Sequence, residues 1–135
     1  MSEHLILSGA PEGYDAALLA REAARPENQG APVIHIARDD RRMEAMRAAL
    51  AFMAPQLPVL DFPAWDTTPY DRVSPAPEVQ AARMACLAGL AQGRIKGSFV
   101  LLTTLSAVLQ RLPARDLVMG TAFAARVGGV VKEKR

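Results

Sequence analysis

Four short, continuously apolar runs, each leading into a stretch of helical pattern, constrain this chain more than any other feature. They are His4-Leu5-Ile6-Leu7, Val33-Ile34-His35-Ile36-Ala37, Val59-Leu60-Asp61-Phe62 and Phe99-Val100-Leu101-Leu102-Thr103. None alternates strictly between apolar and polar residues. Strands of that kind belong to parallel sheets, whose two faces are both covered by helices. The intervening stretches predict helices over Tyr14 to Arg25, from Asp39 or Asp40 to about Ala54, over Ala76 to Gln92, and over Leu105 to Gln110. Strand and helix alternate with short links, so the expected class is α/β: three layers, a mainly parallel sheet, and helices on both faces.

The helix boundaries carry their own signals. Asp39 or Asp40 can cap the second helix, in which Met43, Met46, Leu50 and Met53 share a face. Pro55 and Pro58 stop it. Pro77 suits a first helical turn, Glu78 favours the dipole there, and Gly93 ends the third helix. Residues 1–113 read as one α/β subdomain. Residues 114–135 read as an irregular tail, broken at Gly128-Gly129, that is either the start of a further subdomain or an artificial chain end.

Composition bounds the function. With 135 residues the chain fits a single core, and 5% aromatic content makes that core mostly Ala, Leu, Val and Met. A net charge of +2, spread along the chain, is no footprint for nucleic acid. A single cysteine, Cys86, excludes an internal disulfide and, with no Cys/His cluster nearby, a zinc site. It is expected to pack as a small hydrophobe. No apolar run approaches the ~20 residues that span a bilayer, and no signal-peptide pattern opens the chain. The expected location is the cytoplasm, with no membrane partner.

One segment stands apart: Phe62-Pro63-Ala64-Trp65-Asp66-Thr67-Thr68-Pro69-Tyr70-Asp71-Arg72-Val73-Ser74-Pro75-Ala76-Pro77. It holds the sole Trp, one of two Tyr and four of the ten Pro. Proline fixes φ and removes a donor, so this is a stiff loop beside a sheet edge. Trp65, Asp66, Pro69, Tyr70, Asp71 and Arg72 are the candidates here, either as residues that define the loop or as an interaction surface. Trp65 is expected to be at least half buried.

Catalytic constellations fail one by one. A phosphate-binding loop requires Gly-x-x-x-x-Gly-Lys-[Ser/Thr], whose amides and lysine hold the phosphates. Counted from Gly9, positions 14 to 16 hold Tyr14, Asp15 and Ala16 instead, with Gly13 as a turn glycine. Asp15 puts a carboxylate where phosphate charge belongs, and Ala16 offers no oxygen to magnesium. His4 and His35 lack a third ligand or a nucleophile, and Thr103-Thr104 reads as the start of the next helix. Asp66 and Asp71 suit turns as readily as paired carboxylates. No catalytic, cofactor or metal site emerges.

A strand ending in Pro-x-Trp-Asp-Thr-x-Pro-Tyr-Asp, followed by Ser74-Pro75 and a helix, resembles the N-terminal module of bacterial transcription-repair coupling factor. So does Leu102-Thr103-Thr104-Leu105-Ser106-Ala107-Val108-Leu109-Gln110-Arg111-Leu112-Pro113. The resemblance runs from about Leu5 to Pro113. It implies a degenerate P-loop-NTPase-like fold, similar to an excinuclease subunit but without the nucleotide-binding lysine, which Asp15 fits. Tyr70 is followed too soon by Ser74-Pro75 for that subunit's DNA-clamping hairpin. The implied role is a non-catalytic scaffold and interaction domain in nucleotide excision repair. The implied partner is the excinuclease damage-sensing subunit, engaged mainly through the following subdomain. RNA polymerase, DNA, ATP and magnesium would belong to other domains of the full-length translocase. The alternative is a small nucleotide-dependent enzyme or ATPase with an atypical phosphate loop.

Overall fold

A computed structural model describes residues 4–28, 31–68 and 72–121. In chain order these form α1 (Tyr14–Ala23), a short 3₁₀ turn (Pro26–Asn28), β1 (Val33–Ala37), α2 (Asp40–Met53), β2 (Val59–Phe62), α3 (Pro77–Ala91), β3 (Val100–Thr104), α4 (Leu105–Leu109) and α5 (Arg115–Thr121). The class is α/β, with a three-stranded parallel sheet flanked by helices.

The strand order is β1-β3-β2. β3 is the central strand, pairing Val33 with Val100 on one side and Val59 with Val100 on the other. Both crossovers obey the right-handed rule only if α2 and α3 lie on opposite faces, because the chain moves across the sheet in opposite directions. Two separate cores reflect this. On one face Ala16, Ala23, Met43, Met46 and Leu50 of α1 and α2 enclose Ala37, Val100 and Leu102. On the other, Cys86 of α3 and Ala107 of α4 pack with Phe62, flanked by Leu60, Leu87, Leu90 and Leu101.

Helix ends follow the sequence signals. Asp39 caps α2, its Oδ1 accepting the Arg42 N–H at 2.8 Å. Thr104 caps α4 through its Oγ1, which accepts the Ala107 N–H at 3.3 Å. Met53, expected on the buried face of α2, is half exposed at its C-terminal end.

Two expectations are corrected. The run His4-Leu5-Ile6-Leu7 is not a strand: Leu5 is 82% exposed and Ile6 89% exposed. No described strand lies beside it, and an apolar run without a ladder partner gains nothing from extended pairing. The region after Pro113 is not irregular throughout, since Arg115–Thr121 forms α5, packed on α3 with Val118 buried. Gly128-Gly129 lies outside the described residues.

Candidate functional site

The Pro-rich loop leaves the sheet at Phe62, and the residue that organises it comes from α3. Arg83 is 1% exposed, although no carboxylate pairs with it among the described residues. Its guanidinium carbon lies 4.2 Å from the centre of the Phe62 ring and 4.4 Å from that of Trp65. The cation is thus held between two aromatic faces, where ring quadrupoles replace part of its lost hydration. One Nη1 donates to the Pro63 carbonyl at 2.6 Å and to Gln110 Oε1 at 3.2 Å. Gln110 Oε1 also accepts the Trp65 backbone N–H at 2.9 Å. Burial pushes the Arg83 pKa below its ordinary value.

Loop, α3 and the end of α4 are therefore joined at one point. Trp65 is partly buried, as its size demands in a loop that proline keeps out of regular structure. Asp66 closes the loop from within: both carboxylate oxygens accept the Ala76 N–H, at 3.2 and 3.1 Å. The Ala76 N–H is one of the donors left over at the start of α3, so Asp66 ties the loop to that helix end. Arg72 is exposed to solvent. Pro69, Tyr70 and Asp71 lie outside the described residues.

Sequence reasoning missed Arg83. The available signal was its spacing: Arg83, Cys86 and Gly89 are the buried residues of α3, three apart. An arginine in the apolar register of a helix must find a partner or a ring, and three unassigned candidates lay in the preceding loop and strand. Cys86 behaves as expected, buried beside Phe62, its thiol pushed up to about 11 chiefly by desolvation.

At the opposite edge, the turn before α1 shows what the phosphate-loop frame became. Gly13 caps α1 with φ +84°, a left-handed conformation suited to glycine, and a Cβ there would meet Met53 at 3.6 Å. The Asp15 Oδ1 accepts the Ala16 N–H at 3.0 Å, so its carboxylate already occupies a first-turn amide. Ala16 is fully buried against α2. Tyr14 is exposed, and Gly9 sits in an exposed turn at φ +69°.

Between this turn and β1 lies a cleft of about 430 Å³ lined by Gly13, Asp15, His35, Arg38 and Arg42, with Ala45 and Met46 behind. Desolvation lowers the His35 pKa, partly opposed by Asp15. His4 is exposed and in no strand. No group of three His, Cys, Asp or Glu side chains suited to a metal ion occurs among the described residues. No helix among them is long and apolar enough to cross a membrane.

No family model matches the chain. A curated protein of Haemophilus influenzae is 34% identical to it over 111 residues, which is 82% of this chain. That relative is a transcription-repair-coupling factor. The matched region is 9% of the relative, so this chain spans under a tenth of the coupling factor's length. The similarity agrees with the family that the Pro-rich loop and the Leu102-to-Pro113 run resemble, and it supports a role in that family and its DNA-repair theme.

Proposed function

We propose that this chain is the N-terminal, non-catalytic scaffold and protein-interaction segment of a transcription-repair coupling factor, serving nucleotide excision repair at stalled RNA polymerase in the cytoplasm. The turn before α1 is a degenerate phosphate-binding loop, and the segment holds no cofactor. Its partner is the damage-sensing excinuclease subunit, contacted mainly through the subdomain that follows. RNA polymerase, DNA, ATP and magnesium act on other parts of the full-length protein.

The observation that carries the non-catalytic reading is Asp15. Its carboxylate sits on the amide of Ala16, in the first turn of α1, where a phosphate-binding loop would offer free amides and a lysine. An incoming triphosphate would meet negative charge there and no hydroxyl to carry magnesium. The similarity to a coupling factor supports the repair role, and the Arg83-locked loop supports a rigid contact face, because a preorganised loop loses little entropy on binding.

The test is thermal unfolding with and without magnesium-ATP. A ligand present at 100 times its dissociation constant would stabilise the native state by about 2.7 kcal/mol. No change in Tm is expected. A reproducible rise of several degrees, or ATP hydrolysis lost on changing Asp15, would replace the scaffold with a nucleotide-dependent enzyme.

A further inference from the structure

The two edges of the sheet are not equivalent. β2 carries Asp61, ion-paired with Arg47 of α2, and runs directly into Pro63. A charge within the strand and a proline at its end both discourage further pairing. β1 carries neither. Its Val33 N–H bonds the Phe99 carbonyl of the β3 side at 3.0 Å, so the alternation of a parallel ladder aims the N–H and C=O of Ile34 and Ile36 at the open edge. Among the described residues no strand takes them up.

The side chains agree. Ile34 and Ile36 are in register with Leu101 and Thr103 and so share the α3 face, yet they are 56% and 50% exposed. α3 packs over β2, at the far side of the sheet. Parallel strands are ordinarily covered on both faces, and β3 shows that pattern where β1 does not.

Topology says what is missing. α1 packs against α2 and so lies on the α2 face. A right-handed connection through α1 into β1 puts the segment before α1 beyond the outer edge of β1. That segment, Leu5 to Leu7, is apolar and exposed, and the 430 Å³ cleft separates the start of α1 from β1. The gap is one that further sheet would fill.

We infer that the edge of β1 is a strand-docking site, filled by a β-strand from elsewhere in the longer coupling-factor polypeptide. This rests on the proposed reading, under which more than nine-tenths of that polypeptide lies outside the matched region. The incoming strand pairs with the outward N–H and C=O groups of Ile34 and Ile36, and the layer it brings covers their side chains.

Hydrogen exchange of the Ile34 and Ile36 amides, measured in this 135-residue chain and in the protein encoded by the complete gene, tests the inference. Fast exchange is expected in the short chain, and exchange slower on the order of 100-fold in the long one. In parallel, Ile36→Glu should leave the Tm of the short chain unchanged and lower that of the long protein. Fast exchange in a long coupling factor overturns the inference and leaves the proposed function standing. A gene that encodes no further polypeptide overturns both. Protection in the short chain that grows with concentration assigns the edge to a second copy instead. Protection there that is lost in Leu5→Glu assigns it to the chain's own first run.

Discussion

The β2 side and the β1 side of this sheet are built from equally apolar strands and end in opposite states. At β2, the strand runs into a loop whose aromatic ring, backbone N–H and carbonyl are all engaged by Arg83 and Gln110. At β1, two isoleucines and a row of backbone groups face solvent. The difference is one of closure. The β2 side finds its partners within 45 residues of chain, from α3 and the end of α4, whereas no described element reaches the outer edge of β1. A local apolar pattern therefore specifies that a strand exists, and the elements that pack on it decide whether its surface is satisfied.

Arg83→Ala is expected to break the closed side most severely. It removes a buried side chain and two hydrogen bonds and leaves the Pro63 carbonyl and Gln110 short of a donor, for a loss of about 3–5 kcal/mol. Urea denaturation would measure this. Arg83→Lys should restore little of it, because an ammonium lacks the planar fork that stacks between two rings.

Trp65→Ala comes next, at about 2–4 kcal/mol by the same measurement. If the cation between the rings is what joins loop to helix, a double-mutant cycle with Arg83→Ala should show coupling of about 1–2 kcal/mol. Additive effects would mean that Trp65 and Arg83 are merely neighbours, and the contrast between the two sides would shrink to one of buried area.

A smaller effect is expected at the cleft beside β1. The folded pKa of His35 lies below 6.5, so the unfolded chain binds the proton more readily. Stability contributed by neutral His35 is present above pH 6.5 and is lost as pH falls through the lower folded value. His35→Gln should flatten that part of the stability–pH curve. An unchanged slope would show that the imidazole is as well solvated in the cleft as in the unfolded chain.

The smallest effect belongs to the open edge. Ile34→Ser and Ile36→Ser should each cost under about 1 kcal/mol in the 135-residue chain, because both side chains are already half in water. A loss of the size expected at Trp65 would mean that the β1 side is closed in solution, and the comparison would fail.

Much of the fold was legible in the sequence because its signals are local. Unbroken apolar runs at 33, 59 and 100 gave three parallel strands, Asp39 and Thr104 gave caps, and the prolines placed the loop after Phe62. The triplet Tyr14-Asp15-Ala16 was readable as a departure from a phosphate loop without any coordinates, because charge and side-chain chemistry travel with the residue. The first apolar run reads like the other three, and only the absence of a neighbour distinguishes it. Strand order, the burial of Arg83 between Phe62 and Trp65, and the open edge of β1 were decided by tertiary structure alone. Each depends on groups 20 or more residues apart meeting or failing to meet, and periodicity along a chain carries no record of that.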